Sequence, residues 1–442
     1  MTCGAGPVSP ALITESLCMK RLLLALVLCL LPFVAVSSPL DSAERAMQSG
    51  QTAKALELAQ TSQPADRAES LRQLWVLGVA YNRLNRPRAA IAPLDRLVAL
   101  APAQADFRLE LALALLRAGQ ADRARYHFTL ARGAGLQPAL QARVQAEIDK
   151  IDSSRNWQGY LRFALVPESN AARRTAAEAV SLGGLTFRLR PNAQAQSAVG
   201  VELGFGLAAL PRLTDSLRAR LAFDVRGRTF DGRAPDDVTV RAAAGVLHFG
   251  DRSRQVSAEI FATQRWLDKS LYSRSQGIDL RHSRLVGDRT SMTASLTQER
   301  LSYVRPSYDV NRTAISFQVS HTATPQLHLL ASARAERRQS ANKLAAGEAI
   351  GVSLGGQYSF SGGWRAGLMV SYDHDRFAGV HPVFGVRRAD RKTAAMVQIN
   401  NQTWSYRGFS PVLKIGVERQ RSSIVLNSYQ NVTASIGLTR AF

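Results

Sequence analysis

Gly351-Val352-Ser353-Leu354-Gly355 has the G-x-S-x-G spacing in which a serine, lifted on a sharp turn between a strand and a helix, attacks an acyl carbon. Here the five residues stand inside AIGVSLGGQYSF, with no helical pattern behind them. Small residues that ease strand packing or curvature are the better reading. Tyr372-Asp373-His374-Asp375 offers a second possibility, because an imidazole between two carboxylates can move a proton or ligate a metal. A lone histidine between two aspartates just ahead of an expected outer loop is more often solvated surface, and that is the better reading. The sequence contains no Gly-Lys pair for a phosphate loop and no H-E-x-x-H. No catalytic group, cofactor or metal is assigned, and the chain is not read as an enzyme.

Arginine is the residue type that dominates the polar chemistry. Among 442 residues, 56 Lys+Arg oppose 34 Asp+Glu, for a net charge of +22, and only seven of the cations are lysine. A guanidinium grips carboxylate and phosphate in two-pronged fashion and stays charged in confined water. The surplus is uneven: residues 155–442 hold 39 cations and 21 anions, whereas residues 1–154 hold 17 and 13. Such a surplus usually suggests nucleic acid. That partner is not expected here, since the arginines alternate with apolar residues along a chain that carries an export signal.

The alternation is regular. Arg218, Arg220, Arg226 and Arg228 interleave with Leu217, Ala219, Leu221, Phe223 and Val225. Glu259 interleaves with Ala258 and Ile260, and Arg334, Glu336 and Arg338 interleave with Ala331, Ala333 and Ala335. Period two means strands with one greasy and one charged face. These runs exceed the five or six residues of an ordinary strand and suit a tilted membrane-crossing one. The eight charged residues are therefore expected to line a lumen, steering solute rather than breaking bonds.

Aromatics gather near the strand ends, including Trp157, Tyr272, Trp364, Phe377 and Trp404, as in the girdles of outer-membrane barrels. The chain closes with Ala434, Ile436, Leu438 and Phe442 on one face, the pattern of a C-terminal barrel-assembly signal, with Arg440 departing from it. Fifteen strands can be drawn. Short turns are expected at 210–216, 250–253, 286–289, 322–325, 361–363 and 406–410. Longer links are expected at 231–237, 267–276, 304–308, 340–348, 377–391 and 422–428. Both chain ends of the barrel should lie on one side, so an even count is needed. Ser181–Arg190 is therefore assigned to a long first loop, Pro167 to Ser197, that folds inward, leaving fourteen strands.

Before residue 154 the periodicity is helical. A 34-residue offset maps Leu77, Gly78, Tyr81, Ala90 and Leu94 onto Leu111, Ala112, Leu115, Ala124 and Phe128, with Pro102 ending the first copy, and LWVLGVAY resembles the first helix of a tetratricopeptide repeat. Generic helical hairpins are the plainer alternative. Either arrangement is a short solenoid with a concave face for peptide. At the front, Met19 reads as the true start of a signal peptide, with Lys20-Arg21, an apolar run from Leu22 to Val36, and small Ser37 and Ser38. Cys3, Cys18 and Cys29 all precede residue 30, so the mature chain has no thiol. A lipid anchor on Cys29 is a weak alternative. No stretch after residue 40 has the ~18 apolar residues of a spanning helix.

The expected organisation is α + β and multi-domain: a presequence at 1–38, a TPR-like helical solenoid at 39–154, and an antiparallel transmembrane β-barrel of about fourteen strands at 155–442. This order resembles the surface lipoprotein assembly modifier family, the translocons of the type XI secretion system. Asn156-Trp157-Gln158-Gly159-Tyr160 at the barrel's opening, Pro167-Glu168-Ser169-Asn170 after its first strand, Gly408-Phe409-Ser410-Pro411, Arg419 to Ile424 and the final Leu438 to Phe442 are similar to family motifs. The resemblance implies a monomeric outer-membrane barrel with its helical domain in the periplasm, moving a client to the cell surface. That client is a surface lipoprotein or a soluble secreted protein that binds haem or metal. Apart from the resemblance, arginines at the rims are expected to meet lipopolysaccharide phosphates, and the C-terminal signal the barrel assembly machinery. Two other readings stay open: an anion-preferring porin with a helical adaptor, and a rim hydrolase built on Asp373, His374 and Asp375.

Overall fold

The computed structural model describes residues 38–441 other than Arg233, Gln402 and Arg407. The presequence with its cysteines, and Phe442, lie outside the described residues. The chain divides into two compact units, one ending at Gln63 and the other beginning at Pro64. The change from helix to strand near residue 154 thus falls inside the second unit.

The first unit is a helical hairpin of α1 (Pro39–Gln48) and α2 (Thr52–Thr61). Ser38 starts it with a reciprocal cap, accepting from the Asp41 amide at 3.2 Å while its own amide donates to the Asp41 carboxylate at 3.2 Å. Leu40, Ala43 and Ala46 are buried in α1, and Ala55, Leu56 and Ala59 in α2.

The second unit opens with α3 (Arg67–Arg83), α4 (Pro87–Leu100), α5 (Ala105–Arg117), α6 (Ala121–Ala131) and α7 (Pro138–Ser154). Ala90, Leu94, Leu111, Ala112, Leu115, Ala124 and Phe128, all at the repeating positions, share one core with Val144, Ile148 and Ile151 of α7. Gly78 is required by packing: a Cβ there would stand 2.4 Å from Leu94, so α3 and α4 meet only because one side chain is missing.

The barrel begins at β1 (Trp157–Glu168). After the hairpin β2 (Ala179–Leu182) and β3 (Leu185–Arg188), it continues through β4 (Ala198–Ala209), β5 (Leu217–Phe230), β6 (Asp237–Gly250), β7 (Arg254–Leu267), β8 (Ser270–Val286) and β9 (Thr290–Tyr303). It ends with β10 (Val310–Thr322), β11 (Leu327–Gln339), β12 (Gly347–Ser359), β13 (Trp364–Val380), β14 (Arg387–Asn401), β15 (Ser410–Ser422) and β16 (Tyr429–Ala441). Fourteen antiparallel strands close on themselves, β16 pairing with β1, and β2 with β3 forms a separate sheet. Closure leaves no open edge for another chain. Strands of 12 to 17 residues alternate apolar residues outward, among them Leu221, Ile260, Ile315, Leu354, Ile415 and Ile436, all exposed. A band of this kind demands hydrocarbon rather than water.

Four connections differ from the sequence reading, one of them the short turn expected at 406–410, which is a longer link over 402–409 between β14 and β15. The expected link at 267–276 is the two-residue turn Asp268-Lys269, both left-handed with φ of 49° and 65°, and β8 runs straight through the rest. The expected link at 377–391 shrinks to 381–386, because β13 continues to Val380 and β14 starts at Arg387. Ser181–Arg190 contributes to β2 and β3, joined by Gly183-Gly184 at φ of 59° and 83°. In the first loop only the leading segment turns inward, where Arg173 reaches Glu418, while Leu185 and Phe187 of β3 are exposed.

Candidate functional site: the charged bore and its covered mouth

Inward positions on neighbouring strands bring cations and carboxylates side by side, and three ladders result. In the first, the Glu168 carboxylate is 0 % exposed and receives Arg228 at 2.7 Å, Asn431 at 2.7 Å and Arg173 at 3.5 Å. Glu202 sits between Arg228 at 2.8 Å and Arg162 at 3.1 Å, and Glu418 between Arg173 at 2.6 Å and Lys392 at 3.1 Å. Arg162, Arg173, Glu202, Arg228 and Glu418 border a cavity of about 340 Å³ that also meets Lys414, Gly416 and Gly437. In the second ladder Arg312, Arg334 and Arg338 all stand within 3.8 Å of Glu336, and Arg312 also binds Glu299 at 3.0 Å. Arg334 donates to Asp373 at 2.8 Å and Arg338 to Asp375 at 3.0 Å. The third pairs Arg220 with Glu259 at 2.6 Å and Arg226 with Asp224 at 3.1 Å.

Large inner side chains need vacant neighbours, and glycines supply them. A Cβ on Gly206 would fall 2.3 Å from the Tyr160 ring, and one on Gly351 the same distance from the Asp373 carboxylate. That clearance accounts for the first glycine of Gly351-Val352-Ser353-Leu354-Gly355. Ser353 lies mid-strand in β12 and shares a hydrogen bond with Ser332 at 2.7 Å. The rim triplet is divided by strand alternation. Asp373 and Asp375 face inward onto their arginines, whereas His374, opposite the exposed Ile350, faces outward and receives Arg376 at 2.7 Å. An acid–base pair from those three residues is not assembled. Phe377 also leaves the expected girdle, held between the guanidiniums of Arg338 and Arg388 at 4.7 Å each. Arg218 is withdrawn from the bore: it is 4 % exposed and donates to the Asn156 side chain at 3.1 Å, with further bonds to the carbonyls of Ser153 and Leu210. It ties the helix-to-barrel joint.

The helices cover one mouth of the barrel. Asp149 of α7 accepts from the Ser253 amide at 2.8 Å, and Gln145 donates to the Ser253 hydroxyl at 2.8 Å. Gln141 donates to the Asp288 carbonyl at 3.4 Å, while Gly133 and Gly135 sit against the turns carrying Thr324 and Arg289. Ala99 of α4 approaches Gly363. A partly open chamber of about 920 Å³ lies beneath, bounded by Arg125, Tyr126 and Asp152 of the helices and by Arg220, Arg226 and His328 of the strands. Within the layer Arg125 binds Asp152 in two-pronged fashion at 2.6 and 3.0 Å, and that pairing raises the arginine's pKa against the opposing effect of burial.

The seam between first and last strands is fastened by side chains. Val432 donates its amide to the Ser169 hydroxyl at 2.7 Å, and the Asn170 amide donates to Asn431 Oδ1 at 2.8 Å. Asn170 Nδ2 reaches the Gln430 carbonyl at 3.0 Å. These bonds continue the ladder just past Pro167, which has no N–H to give.

The sequence pattern of the surface lipoprotein assembly modifier family matches residues 157–442, from the first residue of β1 to the last of the chain. The chain belongs to that family. This member of the family is an outer-membrane β-barrel protein. Similar solved structures include a bacterial polysaccharide outer membrane secretin, with 15% identity, 64% of this chain and 98% of that one covered, and a TM-score of 0.36. They also include a Pseudomonas aeruginosa FadL homologue, with 12% identity, 67% and 92% covered, and a TM-score of 0.39. A third is the outer membrane channel DcaP of Acinetobacter baumannii, with 9% identity, 65% and 96% covered, and a TM-score of 0.39. No curated protein matches the sequence.

Several inner residues of this family member escaped the sequence reading: Arg162, Arg173, Glu202, Lys392, Glu418 and Asn431. Glu202 and Glu418 alternate with Val201, Leu203, Val417 and Ile415, so the same period-two test finds them. Asn431 and Arg173 have no such signal, being a strand-end amide and a loop cation brought to Glu168 by closure alone.

Proposed function

We propose that this protein is an outer-membrane translocon that moves a client polypeptide, a surface lipoprotein or a soluble haem- or metal-binding secreted protein, from the periplasm to the cell surface. The observation that carries the reading is a closed barrel of this family with its bore crossed by ion pairs and its helical-end mouth covered by α6 and α7 over a polar chamber. A passive pore has no need of a lid tied to its turns. In this reading the helices face the periplasm, and α3–α6 act as tetratricopeptide-like repeats, with Leu77, Gly78, Tyr81, Ala90, Pro102, Ala124 and Phe128 setting the helix spacing. The client or its chaperone docks on them. Arg220, Arg226, Arg228, Glu259, Arg334, Glu336 and Arg338 steer the chain by exchanging partners, and Ala434, Ile436 and Leu438 present the final strand to the barrel assembly machinery. Lipopolysaccharide surrounds the far rim.

The porin reading is favoured by the arginine surplus, yet the arginines of the three ladders are matched to carboxylates, which weakens any anion preference. The test is surface labelling of intact cells with a membrane-impermeant reagent, with and without this gene. A lipoprotein or secreted protein lost from the surface, and retained in the periplasm, is the expected result. An unchanged surface profile removes the translocon reading.

A further inference from the structure

Arg108 on α5 is 0 % exposed, and its only bonded nitrogen is Nε, which donates to the Pro102 carbonyl at 3.0 Å. Both terminal nitrogens, Nη1 and Nη2, are buried with no hydrogen-bond partner among the described residues. The same holds for the Tyr126 hydroxyl and His127 Nδ1 on α6, and for Arg365 Nε at the start of β13. The Arg365 guanidinium lies 5.1 Å from the Tyr126 ring, His127 follows Tyr126 on α6 with its ring 5.2 Å away, and α5, which carries Arg108, packs against α6 closely enough for Arg108 to feel the charges of Tyr126 and Arg365.

A guanidinium taken out of water without a counter-charge is strongly disfavoured, and a second one nearby adds repulsion. Three carboxylates of the surrounding helices are engaged elsewhere, and Asp106 of α5 is exposed to solvent. Glu110 receives Asn82, Asp95 receives Arg123, and Asp122 receives Arg155. Water can satisfy the orphan donors but leaves both positive charges opposed. We infer that Arg108, Arg365, Tyr126 and His127 form a buried site for one small oxyanion of the phosphate or carboxylate class, which bonds the helical layer to the barrel. The planar fork of Arg108 suits two oxygens of such a group. Tyr126 also borders the chamber under α6, as does Ser359, the register partner of Arg365, so the chamber is the route in. Burial, with a smaller contribution from repulsion by Arg365 and against the opposing effect of Tyr126, lowers the Arg108 pKa to about 10.

This inference does not depend on the identity of any client. Its test uses the full chain folded in detergent, with thermal unfolding followed during titration with sodium phosphate against sodium chloride of equal ionic strength. The expected result is a saturable rise in Tm with phosphate, since a ligand bound only to the folded state stabilises it. Arg108→Gln and Arg365→Gln should each weaken the apparent affinity at least tenfold. If Arg108→Gln fails to fold, Arg365→Gln and Tyr126→Phe decide. A second arm compares acetate and a short peptide bearing a free C-terminal carboxylate with the same peptide amidated. Stabilisation by the acid peptide and not by phosphate identifies a polypeptide carboxylate as the occupant, and stabilisation by phosphate a free anion. Equal Tm in phosphate, acetate, acid peptide and chloride overturns the site, as does an undiminished response in both arginine variants.

Discussion

At the scale of single residues, Glu168 shows how closure decides chemistry. Its carboxylate is fully buried, yet three donors from β5, β16 and the first loop converge on it. Removing the charge leaves Arg228 and Arg173 short of a partner in a confined space, and breaking a buried pair costs about 3–5 kcal/mol. Glu168→Gln should therefore lower the temperature at which the barrel loses its fast, folded migration on unheated gels, and Asn431→Ala should do so less. Equal migration of wild type and Glu168→Gln at every temperature would show the seam to be held by its backbone ladder alone. His127 gives a pH prediction. Burial first, then Arg108, Arg123 and Arg365, push its pKa well below the ordinary 6.5. Between the folded and unfolded values, the unfolded chain takes up a proton that the native one refuses, so stability rises with pH. The helical layer should keep its full stability above about pH 6.5 and lose it progressively in acid. Amide exchange of α6 measured at pH 5 and 7.5 should show the difference, and His127→Gln should reduce it.

At the scale of elements, the lid is held by few bonds, and α7 supplies most of them. Asp149→Ala together with Gln145→Ala removes three bonds to Ser253 and Asp149's hold on α7's own glutamine, without touching a strand. The double variant should conduct more often in planar bilayers than wild type while its heat-induced gel shift stays the same. Equal conductance would place the barrier in the ion-pair ladders instead. The strands themselves were legible in the sequence because a lipid-facing strand has no freedom in its alternation: Leu217, Ala219, Leu221 and Phe223 announce β5 unaided. Connections were less so. Asp268-Lys269 carries no glycine, so a two-residue turn there leaves no mark in the sequence and the stretch reads as a longer link. The hairpin β2–β3 has strand-like residues and a Gly-Gly turn, yet only the even strand count kept it out of the barrel. The lid was not legible at all, since Asp149 and Ser253 are 104 positions apart and neither belongs to a pattern. The divided triplet was half legible: alternation alone sends His374 and Asp373 to opposite faces.

At the scale of the whole molecule, everything rests on hydrocarbon meeting the outer face of the barrel. Leu354 tests this directly, being 67 % exposed near the middle of β12, with Ala331 and Val370 as its neighbours across the sheet. On a water-soluble barrel Leu354→Lys would be neutral or would improve solubility, because an exposed leucine gains nothing from water. In a bilayer the ammonium must be carried into the apolar band, which costs about 2–4 kcal/mol at the midplane and falls toward 0–1 near the rims. Leu354→Lys should therefore destabilise the barrel in lipid vesicles by that amount in urea unfolding. Lysine in place of Val199, on the same outer face but at the second residue of β4, supplies a second depth. A Leu354→Lys protein as stable as wild type in vesicles would place this face in water and remove the barrel from the membrane.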